Sequence, residues 1–133
     1  MAWITPKTDW LSSDYFNVED YNRIRGNIQY VYEYALRLYK VFGIDVMQER
    51  TLGGAVAAEL LNDVENNLDK IAENTYNLIE YRPSKSFEPG QAAWNYDDLN
   101  RIERNLLLII TMLESQEAGL KRLAFELGGV QFG

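Results

Sequence analysis

Phe16-Asn17-Val18-Glu19-Asp20-Tyr21-Asn22-Arg23-Ile24-Arg25-Gly26-Asn27-Ile28 aligns without a gap on Trp94-Asn95-Tyr96-Asp97-Asp98-Leu99-Asn100-Arg101-Ile102-Glu103-Arg104-Asn105-Leu106. Asn17, Asp20, Asn22, Arg23, Ile24 and Asn27 have identical partners at Asn95, Asp98, Asn100, Arg101, Ile102 and Asn105. An aromatic residue opens each stretch, and acid meets acid at Glu19 and Asp97. A partial third copy, Asn62-Asp63-Val64-Glu65-Asn66-Asn67-Leu68, keeps the common core Asn-x-(Ile or Val)-x-x-Asn-(Ile or Leu).

Each full copy reads as a helix start. Asn at the cap position takes an orphan amide, and acids in the first turn suit the positive end of the helix dipole. An aromatic one residue earlier can pack on the following turn as a hydrophobic staple. Outward from these starts, apolar residues recur at helical spacing. Tyr21, Ile24, Ile28, Val31, Ala35, Leu38 and Phe42 predict a helix over about 18–42, stopped by Gly43. Ala57, Leu61, Val64, Leu68, Ile71, Thr75 and Leu78 predict a second over about 55–81, between Gly53-Gly54 and Pro83. Leu99, Ile102, Leu106, Ile109, Leu113, Gln116, Leu120, Leu123 and Leu127 share a face on a third, which Gly128-Gly129 ends.

Helices of this size are roughly 40 Å long at about 1.5 Å per residue. Three such stripes predict an all-α fold, an elongated antiparallel three-helix bundle with a non-helical N-terminal arm and a short C-terminal tail. The division is an aromatic arm over 1–16, the bundle over 17–127 and the tail over 128–133. Residues 82–94, with Pro83, Pro89 and Gly90, form the long connection to the third helix. The segment 43–54 reads as a loop or a short extra helical turn.

Asparagine is a poor residue inside a helix. Asn22, Asn27, Asn62, Asn67, Asn100 and Asn105 nevertheless recur at one register. That pattern predicts hydrogen bonds across the bundle that fix helix alignment, as a buried Asn does in coiled coils, rather than solvated surface amides.

The chain has 133 residues, 47% hydrophobic and 25% charged, which is globular composition and enough for one ordinary domain. Its three prolines leave room for long helices. A net charge of −7 with scattered Lys and Arg argues against a nucleic-acid or anionic-membrane partner. There is no cysteine and no histidine, which removes disulfides, thiolate nucleophiles and the usual neutral-pH base. No apolar run approaches the roughly 20 residues of a membrane span, and Met1 to Lys7 lacks the pattern of a signal peptide, so synthesis and folding in a cytoplasm are expected.

Thr5-Pro6-Lys7-Thr8-Asp9-Trp10, Asp14-Tyr15-Phe16-Asn17 and Asp20-Tyr21-Asn22-Arg23-Ile24 resemble the start of small proteins encoded in the structural gene regions of tailed phages and prophages of Gram-positive bacteria. Asp98-Leu99-Asn100-Arg101-Ile102-Glu103 is similar to the second signature of that group. The resemblance implies a virion-associated role in the tail, baseplate or fibre attachment, with other virion proteins as partners, and it supplies no catalytic residues and no cofactor.

The carboxylate pairs Glu19/Asp20 and Asp97/Asp98 deserve a hearing as a glycosidase dyad, but capping explains them fully. Asp63, Glu65 and Asp69 lack the spacing of a calcium loop. Arg23 and Arg101 read as partners of nearby acids. No catalytic, metal or cofactor residue is assigned. Of the tyrosines, Tyr32 and Tyr39 flank the apolar stripe and belong to the core, while Tyr30 and Tyr34 point elsewhere and are candidate interface residues. Trp3 and Trp10, also candidate interface residues, either fold back along the bundle or dock on a neighbouring subunit. The expected function is a non-catalytic structural or assembly protein of a phage virion, acting through protein contacts and able to self-associate. The rival readings are a cytoplasmic regulatory or adaptor module and, remotely, an enzyme that works with carboxylates alone.

Overall fold

A computed structural model describes residues 3–39, 41–45, 47, 58–75 and 95–126, and of 58–61 and 124–126 the backbone alone. Among these residues the structure is all-helical. α1 spans Val18–Leu38, α2 spans Ala58–Glu73 and α3 spans Tyr96–Glu126. The three pack on one another.

The repeated starts are repeated capping boxes. Asn17 is extended, at φ −120 and ψ −179, and its Oδ1 accepts from the Asp20 amide at 3.1 Å while Asp20 Oδ2 accepts from the Asn17 amide at 3.1 Å. Asn95 and Asp98 make the same reciprocal pair at 2.9 and 3.1 Å. Each box satisfies two helix-end donors without solvent.

The ends are set by other means. α1 stops at Leu38, short of the predicted 42, because Tyr39 turns extended and Phe42 comes back against the helix, where its carbonyl accepts from the Tyr32 hydroxyl at 2.7 Å. Phe42 and Ile44 thus pack on the core from outside the helix. α2 stops at Glu73, where the Thr75 hydroxyl and Asn74 amide take the Ile71 and Lys70 carbonyls at 2.8 Å. The predicted start of α2 at 55, its extension over 76–81, the connection 82–94 and the tail 128–133 lie outside the described residues.

The core is built from matching repeat positions. Ile24, Val64 and Ile102 are fully buried, as are Val31, Ile71 and Ile109; between them Ile28 and Leu106 are fully buried and Leu68 nearly so. Leu99, Leu113, Met112 and Ile110 extend this core along α3. The expected stripe on α3 does not stay buried to its end. Leu120 and Leu123 are 54% and 48% exposed, because α3 outruns α1 and no described residue covers its last turns.

Contacts between α1 and α3 rise together along both chains. Arg23 meets Glu103 near the two N-termini, and further on Tyr39 reaches Met112 and Tyr34 reaches Glu117. α1 and α3 therefore run in the same direction, as the first and third helices of the expected three-helix bundle do.

Leu106 is fully buried at the centre of this core. Leu106→Ala is expected to lower stability by about 2–5 kcal/mol in urea denaturation, with the helical circular-dichroism spectrum kept.

Candidate functional site

The arm and the α1–α2 connection bring extended backbone against the helices. Among the described residues no strand lies beside such backbone, yet each buried N–H and C=O needs a partner. Asparagine supplies one, since its amide carries a donor and an acceptor at the spacing of a peptide group. Asn27 Oδ1 accepts from the Ile4 amide at 3.0 Å and its Nδ2 donates to the Ile4 carbonyl at 2.7 Å. Asn67 holds Asp45 the same way, at 2.8 Å for both bonds. Asn100 holds Trp10, at 2.8 and 3.0 Å.

Asn27, Asn67 and Asn105 are buried, and Asn22, Asn62 and Asn100 are half-buried. Asn22, Asn62 and Asn105 each engage a further group. The recurring asparagines are thus not solvated. At Asn27, Asn67 and Asn100 the expected bond across the bundle goes to backbone groups of non-helical segments instead of to another helix.

Beneath the arm lies Glu103, which is fully buried. Its carboxylate accepts from the Lys7 amide at 3.0 Å, from Arg23 Nε and Nη2 at 3.0 and 2.9 Å, and from the Trp10 indole N–H. These donors use the acceptor capacity of the group, and the Arg23 contact is a two-point charged pair. Arg23 Nη1 also reaches Asp20 at 2.8 Å. A second buried carboxylate, Glu65, takes both terminal nitrogens of Arg101, at 2.7 and 2.5 Å. Glu103 matches Glu65 in the partial third copy, but α1 carries Arg25 at that position, so the core common to all three copies passes over it.

Trp10 is 3% exposed and sits in the core, with Lys7 stacked 5.0 Å from its ring centre. Trp3 is half-buried against Tyr30, at 5.8 Å between ring centres. Tyr34, expected to point away, is 8% exposed. It lies one row beside the apolar stripe, seven residues beyond Asn27, and the parallel α3 covers that row. Its hydroxyl is pushed up to about 12, chiefly by burial and then by its hydrogen bond to Glu117 and the charges of Glu117 and Glu114. Glu117 is drawn down by hydrogen bonds from Lys121 and Tyr34. Tyr32 and Tyr39 are half-buried and packed on the core.

Exposed apolar side chains surround the place where the arm meets the start of α3. A cleft of about 330 Å³ there is lined by Trp10, Leu11, Asp14, Phe16, Tyr96 and Leu99, among others. Leu11, Tyr15 and Tyr96 are 62%, 89% and 42% exposed around this end. Asp20 and Asp98 of the candidate carboxylate pairs are engaged in the caps. Among the described residues no three acidic side chains converge as a metal site would require, and no helix is long and apolar enough to cross a membrane. No family model, curated protein or solved structure matches the chain.

Asn27→Ala is expected to lower stability by about 1–3 kcal/mol, since it strands the Ile4 amide and carbonyl. Hydrogen exchange reports this directly: the Ile4 amide loses protection while the centre of α1 keeps its own. Tyr34 gives a second test. Because its folded pKa exceeds the ordinary 10.0, its contribution to stability is present below pH 10 and is lost as the pH rises towards 12. The difference in ultraviolet absorbance between wild type and Tyr34→Phe should therefore titrate near pH 12, and the variant should lose less stability over that range.

Proposed function

We propose that the chain is a non-catalytic assembly protein that acts by presenting its arm end to another protein, and that its setting is a tailed phage or prophage virion. The observation that carries the first half is the exposed Leu11, Tyr15 and Tyr96 around the cleft at the start of α3. Large apolar side chains grouped about a concavity are the usual mark of a protein-contact surface. The buried carboxylates Glu65 and Glu103 are each spent on an arginine, which is the arrangement of a scaffold, where acid–base chemistry needs a group free to exchange its proton. The second half rests on the resemblance of the arm and the two helix starts to small structural proteins of tailed phages.

On this reading the bundle is a rigid support and the arm, fixed by its asparagines, sets the shape of the contact surface. Its partners are other virion components, and a second copy of the chain is among the candidates.

The test uses the phage or lysogen that carries the gene. Mass spectrometry of purified particles and of tail assembly intermediates should find the chain in at least one of them. Leu11→Arg with Tyr15→Arg should remove it from that fraction, while the isolated double variant keeps the wild-type helical spectrum. Complete, infective particles formed without the gene, and free of the chain in the wild type, would overturn the proposal.

A further inference from the structure

The two long-range arginine pairs follow one rule. Arg23 on α1 reaches Glu103 on α3, and Arg101 on α3 reaches Glu65 on α2. In the repeat, Arg23 and Arg101 stand at one position, and Glu103 and Glu65 stand at another, two residues later. Two residues turn a helix by about 200°, so the earlier position faces one neighbour and the later position faces the other. Each bond thus runs from the earlier position of one helix to the later position of the next.

One link completes the circuit: the earlier position of α2 to the later position of α1. These are Asp63 and Arg25, an opposite pair with the signs exchanged. We propose that Asp63 and Arg25 form the third inter-helix ion pair, and that the ring of three pairs selects the circular order in which the helices assemble.

Three observations support the placement. Val64, Leu68 and Ile71 are buried at the repeat positions of Ile24, Ile28 and Val31, so α2 presents the same face to the centre as α1 does. Asn67 grips Asp45 as Asn27 grips Ile4, each at a residue that precedes its own helix. Asp63 and Arg25 are half-buried, and each engages another group.

The selection follows from the signs. α1 carries two cations at these positions, Arg23 and Arg25; α2 carries two anions, Asp63 and Glu65; α3 carries Arg101 and Glu103. In the observed order every link joins opposite charges. In the reverse order Arg23 would still meet Glu65, but Arg101 would meet Arg25 and Asp63 would meet Glu103. Like charges brought together at a partly buried site are strongly disfavoured. The apolar core cannot make this distinction, because its layers repeat nearly the same residues on each helix. The exchanged pair is what breaks the symmetry of the code.

Urea denaturation of the full chain tests the pairing. Arg25→Glu alone and Asp63→Arg alone should each lower the folding equilibrium constant about tenfold or more, and the double variant, which restores the sign pattern of the other two links, should recover to within about threefold of wild type. If either single variant does not fold, Arg25→Gln and Asp63→Asn give the same cycle with smaller losses. Arg25→Gln with Glu65→Gln, on the same two helices but in different links, should be additive. A double variant that loses the product of the two single effects would overturn the pairing, as would coupling of Arg25 to Glu65 equal to its coupling to Asp63.

Discussion

Extended backbone lying against helices must have its peptide groups satisfied, and this constraint organises the molecule. In a sheet a neighbouring strand would do it. Here single asparagine side chains act as one-residue strands, each taking one N–H and one C=O from Ile4, Asp45 or Trp10. With those bonds made, the arm becomes part of the core, and Trp10 can be almost fully buried with its indole N–H on Glu103. Without them the arm would carry unpaired polar groups into an apolar groove, where each costs about 1–3 kcal/mol.

The charged groups depend on the same arrangement. Glu103 is tolerable at zero exposure because Arg23, Trp10 and Lys7 converge on it, and the last two arrive on the arm. Removing either partner of a buried ion pair leaves an uncompensated charge, so such a pair penalises any arrangement that separates it. That property suits a chain built from near-copies of one helix, whose apolar faces are interchangeable. A scaffold in which amides fix the arm holds a surface steadily, as the proposed assembly role requires.

Much of this was legible without coordinates. The capping boxes at Asn17/Asp20 and Asn95/Asp98 are local, since cap and acceptor lie three residues apart and their geometry follows from the chain alone. The apolar stripes gave three helices because burial of one face has a fixed period. The unusual interior asparagines also signalled a polar partner. What that partner was could not be read, because an amide bonds a helix, a loop or water with equal chemistry, and the choice depends on what tertiary packing brings within reach. Tyr34 was misplaced for the same reason: whether a row beside the main stripe is buried depends on which helix lies over it.

The sequence by itself determined where helices start, which faces are greasy and that one unit was copied along the chain, because these are properties of neighbours within a few residues. Only the tertiary structure decided that the arm lies along the helices, and that Glu103, where α1 has an arginine, is the centre of the polar network. Such pairings join groups as far apart as Lys7 and Glu103, and no local periodicity carries information over that distance.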